Sequence, residues 1–191
     1  TETDTGVGGE VRGNYCTLNP LSNTAGALSD GNLIQAGTGS TSVRTESTIA
    51  VSSGKWYFEV TPTALAGTFA NLGIGTVGNT NKYPGEDANS YAWYPQYVHR
   101  QNNTVATSYG TAVGVNGIVM VAFDLDNNKV YFGGDGTWFG SSNPESGANP
   151  AYTINAGTYT PIFRAYDTGS AFACNFGQRP FAYTAPSGFK A

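Results

Sequence analysis

Few residues in this chain could do chemistry, and their spacing argues against most of it. His99 is the only histidine among 191 residues. Two-histidine metal sites, HExxH among them, are therefore excluded. A Ser-His-Asp triad has its histidine but no GxSxG turn to carry the nucleophile. Glu86 and Asp87 stand side by side in KYPGEDANSY. Glycoside hydrolysis needs two carboxyls about 5–9 Å apart across a sugar cleft, whereas neighbouring loop acids more simply solvate a turn. No E-x-D-x-x-E-type strand is present. In DLDNNK, Asp124, Asp126 and Asn128 alternate as at the start of a calcium loop. That loop needs Gly at its sixth position and Glu at its twelfth, where this chain has Lys129 and Asp135. A strand entering an Asn-Asn turn gives the same alternation. GIGTVG spaces Gly73, Gly75 and Gly78 as GxGxxG, but NTNKYPGED beyond it cannot open the helix that a pyrophosphate site requires. Glycine here suits close sheet packing and a turn. The residues predict no enzyme, no cofactor and no metal site.

Aromatic side chains are the better lead. Segment 83–101 carries Tyr83, Tyr91, Trp93, Tyr94, Tyr97 and His99 among polar neighbours. Segment 134–152, rich in Gly, Pro, Ser and Asn, carries Trp138 and Phe139. Tyr and Trp offer large amphipathic contact area with little side-chain entropy to lose, and long loops in compact domains are often functional. Tyr91, Trp93, Tyr94, Tyr97, His99 and Trp138 are thus the expected ligand-binding residues. The competing expectation is core filling, since alternating aromatics in strands at 91–94 and 97–101 point partly inward.

The elements that must position these residues read as strands. Charged residues are only 12% of the chain, while Gly (26) and Tyr (12) are abundant and polar turn clusters separate short apolar runs. Strands are expected at 14–18, 31–36, 42–51, 55–63, 69–77, 91–94, 97–101, 104–108, 117–125, 129–133, 160–166 and 170–176. In KWYFEVT, Trp56, Phe58 and Val60 share one face. In IVMVAFDLD both alternating sets are largely apolar, as in a central strand covered on two faces. It runs through Asn127-Asn128 into KVYFG as an antiparallel hairpin. The fold expected is all-β, a two-sheet antiparallel β-sandwich. Residues 1–13 read as a linker or N-terminal extension, and 14–191 as one domain.

Charge and cysteines narrow the partners. The net charge is −4, and nine basic residues lie scattered without a run of three, so nucleic acid is not an expected partner. No stretch reaches the roughly 18 apolar residues of a membrane-spanning helix, and the opening residues show neither a basic n-region nor an apolar h-region, as expected of a processed product or an excised domain. Cys16 and Cys174 allow two readings: a pair of buried thiols acting as small hydrophobes, or a bridge between paired first and last strands.

From SSGKWYFEVT onward the chain resembles the SPRY domain. LGIG at 72–75, IVMVAFDLDNNKVYFGGDGTW at 118–138, YTPIF at 159–163 and CNFGQRPFAY at 174–183 are similar to family segments in the family's order. NYCTLNPL at 14–21 and NFGQRPFAYTAPSGFKA at 175–191 further resemble the framing segments of SPRY modules in bacteriophage structural and tail-fibre proteins. There the motif usually runs on past Phe189-Lys190-Ala191, which suggests a domain cut from a longer virion protein. The resemblance implies a concanavalin A-like jelly roll that binds proteins or adheres, with no common reaction, and a Trp138 that commonly packs on the sandwich. The function expected is a non-catalytic adhesion module on the virion, in the tail fibre or particle surface, recognising a host-surface glycan or protein. The alternative is a capsid-decoration or tail-assembly domain that binds a neighbouring virion protein. An oligomer is possible through the parent protein.

Overall fold

A computed structural model describes residues 15–22, 26–39, 44–67, 70–79 and 82–191. In chain order the strands begin with β1 (Gly26–Ser29), β2 (Ile34–Gly37), β3 (Thr45–Glu46), β4 (Lys55–Ala64), β5 (Ala70–Thr76), β6 (Ser90–Tyr94) and β7 (His99–Asn102). They continue with β8 (Val105–Ser108), β9 (Val119–Asp124), β10 (Lys129–Gly134), β11 (Thr137–Trp138), β12 (Tyr152–Thr153), β13 (Tyr159–Ala165) and β14 (Ala171–Asn175). One sheet of eight strands has the order β1-β2-β14-β4-β9-β10-β11, with β12 also on β10. The other, of six, runs β3-β13-β5-β6-β7-β8. The strand pairs are antiparallel. The expected two-sheet antiparallel sandwich is the observed fold.

Phenylalanines join the two sheets. Phe58 of β4 meets Phe163 of β13 at 6.0 Å between ring centres, and both pack on Phe176 at 5.7 and 6.1 Å. Val119, Val121 and Phe123 of β9 enter this core with Leu72, Ile74 and Trp93 from the opposite sheet. The intervening Met120 and Ala122 bury into a second apolar layer outside the eight-stranded sheet, with Tyr57, Tyr131 and Phe189. Residues 176–191 cross that outer face as a strap. Tyr57 N donates to Lys190 O at 2.6 Å and Lys190 N to Lys55 O at 2.9 Å. The doubly apolar pattern of β9 thus has its cause: both faces of the strand are covered.

Several boundaries differ from expectation. Of the run expected at 42–51, described from residue 44, only Thr45–Glu46 forms a strand. Leu18 makes a lone bridge to Ser47 in place of a strand at 14–18. Residues 95–98 are a turn, so β7 begins at His99. β1 lies where no strand was expected. Residues 1–14 lie outside the described residues. Cys16 and Cys174 are free thiols, and β14 pairs with β2 and β4. The pairing of first and last strands that a bridge presumed is therefore replaced. Burial pushes both thiols above their ordinary value, which suits the reading as small hydrophobes.

Candidate ligand-binding surface

The outer face of the six-stranded sheet gathers half of the expected site. Successive residues of a strand point to opposite faces. Phe163 faces the core, so its neighbours Ile162 and Arg164 face out, together with Asn71 of β5 and Tyr94 of β6. Residues 82–89 fold back over this face and are fastened to it. Asn71 Nδ2 donates to Pro84 O at 2.9 Å, and Thr104 N to Gly85 O at 3.0 Å. Asn102 Nδ2 lies 3.0–3.2 Å from the carbonyls of Asp87, Ala88 and Ser90. Glu86 accepts from Lys82 Nζ at 2.8 Å and Tyr83 N at 2.9 Å. Asp87 accepts from Asn89 N and Asn79 Nδ2, both at 2.8 Å. The two acids shape a turn, as their position on one loop suggested.

Two stacks of flat groups result. In the first, β6 pairs Tyr94 with His99 of β7. Their rings lie 4.4 Å apart, tilted by 31°, and the ring of Tyr97 from the turn lies 5.6 Å from the imidazole, again at 31°. Val98, between them, has φ of 52°, a conformation that costs a β-branched residue about 1–2 kcal/mol. Neighbouring contacts therefore impose this turn, and it leaves Tyr97 47% exposed. Burial lowers the His99 pKa against a backbone hydrogen bond at Tyr97 that raises it, which favours the neutral imidazole at neutral pH. In the second stack the Arg164 guanidinium lies between the rings of Tyr83, at 5.1 Å, and Tyr166, at 4.8 Å. Burial draws the Arg164 pKa down, opposed by Tyr94, Tyr166, Tyr83 and Asp167. Burial, and then Tyr83, push the Tyr94 phenol above its ordinary value. The stacks thus interact through Tyr94.

Three expected residues belong elsewhere. Trp93 is fully buried, its Nε1 donating to Tyr109 O at 2.8 Å and its ring 5.0 Å from Phe139. Tyr91 is also core, packed on Tyr152 and Tyr159. Both side chains occupy the inward face of β6, which corrects their reading as surface contacts. Tyr94 is buried too, but it lies on the outward face as the floor of the His99 stack. Trp138 is half-buried on the other sheet, edge-on to Tyr57 at 6.3 Å under the C-terminal strap. The six residues therefore do not form one site. Segment 134–152 closes the end of the core. Phe139 is buried, and Arg100 lies between Tyr109 and Tyr152, its Nη1 donating to Ala151 O.

Arg164 and Tyr166 were missed. Their signal was available: in YTPIFRAY they alternate with core-facing Phe163 and Ala165, so an arginine and a tyrosine share the outward face. Such an arrangement offers ring faces for stacking and polar edges for hydrogen bonds. Among the described residues no cluster of His, Cys, Asp and Glu could hold a metal ion.

No family model and no curated protein matches the sequence. Among solved structures, the chain is similar to the SPRY domain of human HERC1, with a TM-score of 0.64 at 12% identity. The alignment covers 84% of this chain and 98% of that one. At this identity the likeness is one of fold, a SPRY-like sandwich of two antiparallel sheets.

Proposed function

We propose that this chain is a non-catalytic binding module, carried on a bacteriophage particle, that recognises a host-surface glycan or protein. The observation that supports it is the exposed Tyr97 and half-buried His99, packed on a buried Tyr94 beside the Tyr83–Arg164–Tyr166 group. A rigid floor under an exposed aromatic lowers the entropy lost on contact. The phage setting rests on the framing segments NYCTLNPL and NFGQRPFAYTAPSGFKA. Fluorescently labelled protein should stain host cells, and Tyr97→Ala with His99→Ala should weaken that staining at least about tenfold, a loss of about 1.4 kcal/mol. Trp138→Ala, on the other sheet, should leave it intact. Unchanged staining by the folded double variant would remove the site.

A structural role within the particle, against a neighbouring virion protein, is the second reading. The uncharged, fully exposed β8 favours it. Protein that stains no host cell but sediments with particles lacking the parent gene product would decide for it.

A further inference from the structure

β8 ends the six-stranded sheet, and among the described residues no strand pairs with its far side. Its four residues are all exposed, Val105 to 65%. An open strand edge invites another strand, and proteins usually guard one with lysine, proline or a bulge. This edge has none of these. No Asp, Glu, Lys or Arg occurs between Arg100 and Asp124, and Val115 in the same stretch is 50% exposed.

The ladder with β7 tells which backbone groups are free. β7 and β8 join through Asn103 and Thr104, both with positive φ (48° and 64°), a two-residue turn. Tyr109 N donates to Val98 O at 2.8 Å. Hydrogen-bonded pairs alternate along an antiparallel ladder, so Thr107 and Val105 turn their N–H and C=O toward β7. Ala106 and Ser108 turn theirs to the open edge.

We infer that β8 is a self-pairing edge, joining two copies of this chain antiparallel about a two-fold axis at Thr107. In that register Ala106 of each copy exchanges hydrogen bonds with Ser108 of the other. Thr107 faces Thr107, and Val105 faces Tyr109. Thr–Thr and aromatic–β-branched pairs are favourable across strands, and this register brings no like charges together. A second copy is the occupant because the segment is complementary to itself: uncharged, and paired well in a symmetric register. The inference does not rest on the recognition surface proposed above, although Ser108 pairs with its His99. The contact is small beside the roughly 1,200–2,000 Å² of a standard interface, so the dimer is weak.

Sedimentation velocity of the full chain over a concentration series, up to about 1 mM, should show monomer and dimer in exchange. Hydrogen exchange should slow at the Ala106 and Ser108 amides as concentration rises, with the Thr107 amide protected throughout. Thr107→Glu places like charges on the axis and should raise the dissociation constant at least about tenfold. Thr107→Lys should do the same, and an equimolar mixture of the two variants should recover the dimer. Unchanged melting curves would show that both variants fold. A wild-type chain monomeric to the top of the series, or a dimer that both variants leave intact, would overturn the proposal. So would a mixture that stays monomeric.

Discussion

Glu59 shows how one residue secures a whole layer. It lies on the outward face of β4, 3% exposed. Its carboxylate accepts from Tyr57 Oη, Ala182 N and Tyr183 N, each at 2.8 Å. Hydrogen bonds to a charged acceptor contribute about 1.5–3 kcal/mol each, and orphaned buried donors cost comparably. Glu59→Ala should therefore destabilise the protein by about 2–4 kcal/mol in urea titrations, and proteases should cut first within 176–191. Stability equal to wild type would show that the strap is held by its apolar contacts alone. KWYFEVT tells that Glu59 opposes Phe58 and shares a face with Tyr57, but the two backbone donors come from residues more than a hundred positions away. His99 was legible as a surface aromatic among aromatics; its two stacking partners became evident only in the folded turn.

At the scale of the element, β6 explains which expectations failed. SYAWY alternates, and the pattern correctly sets Tyr91 and Trp93 opposite Tyr94. All five residues are nevertheless buried, because residues 82–89 cover the outward face. Period-two alternation states which side chains share a face, and it is silent on whether that face meets water. β5 carries the matching constraint. Gly73 pairs with Ala92, and a β-carbon on it would collide with the carbonyl of Tyr91. Gly73→Ala should cost about 1–3 kcal/mol by overpacking, read as a lowered urea midpoint, and should loosen the Tyr94–His99 stack. An unaltered midpoint would mean that β5 and β6 separate at little cost. GIGTVG is thus explained by sheet packing, with Gly73 held between strands and no helix directly beyond it among the described residues.

For the molecule as a whole, titration follows from what the sandwich buries. Burial lowers the His99 pKa, so the unfolded chain takes up this proton first. The associated stability is present above about pH 6.5 and is lost as pH falls through the lower folded value. Burial alone would raise Asp124, but hydrogen bonds from Asn127 and Lys55 outweigh it and hold the carboxyl below 3.8, so a second loss follows at stronger acidity. Burial raises the phenols of Tyr57, Tyr94 and Tyr159 above 10, so stability falls again as pH rises past that value. Melting temperature should form a plateau between about pH 6.5 and 8.5, the upper end set where the thiols of Cys16 and Cys174 begin to ionise in the unfolded chain but not in the fold, and His99→Gln should remove its first acid shoulder. A shoulder kept by that variant would assign it to another group. The amino acids by themselves determined an all-β sandwich and the doubly covered β9, because alternation and turn chemistry are local properties of the chain. Only the tertiary structure decided which aromatics reach solvent. Trp93 went to the core, Trp138 to the opposite sheet, and Arg164 with its near neighbour Tyr166 met Tyr83 of the loop at 82–89. Exposure depends on what packs above a strand, and that is settled by residues far away along the chain.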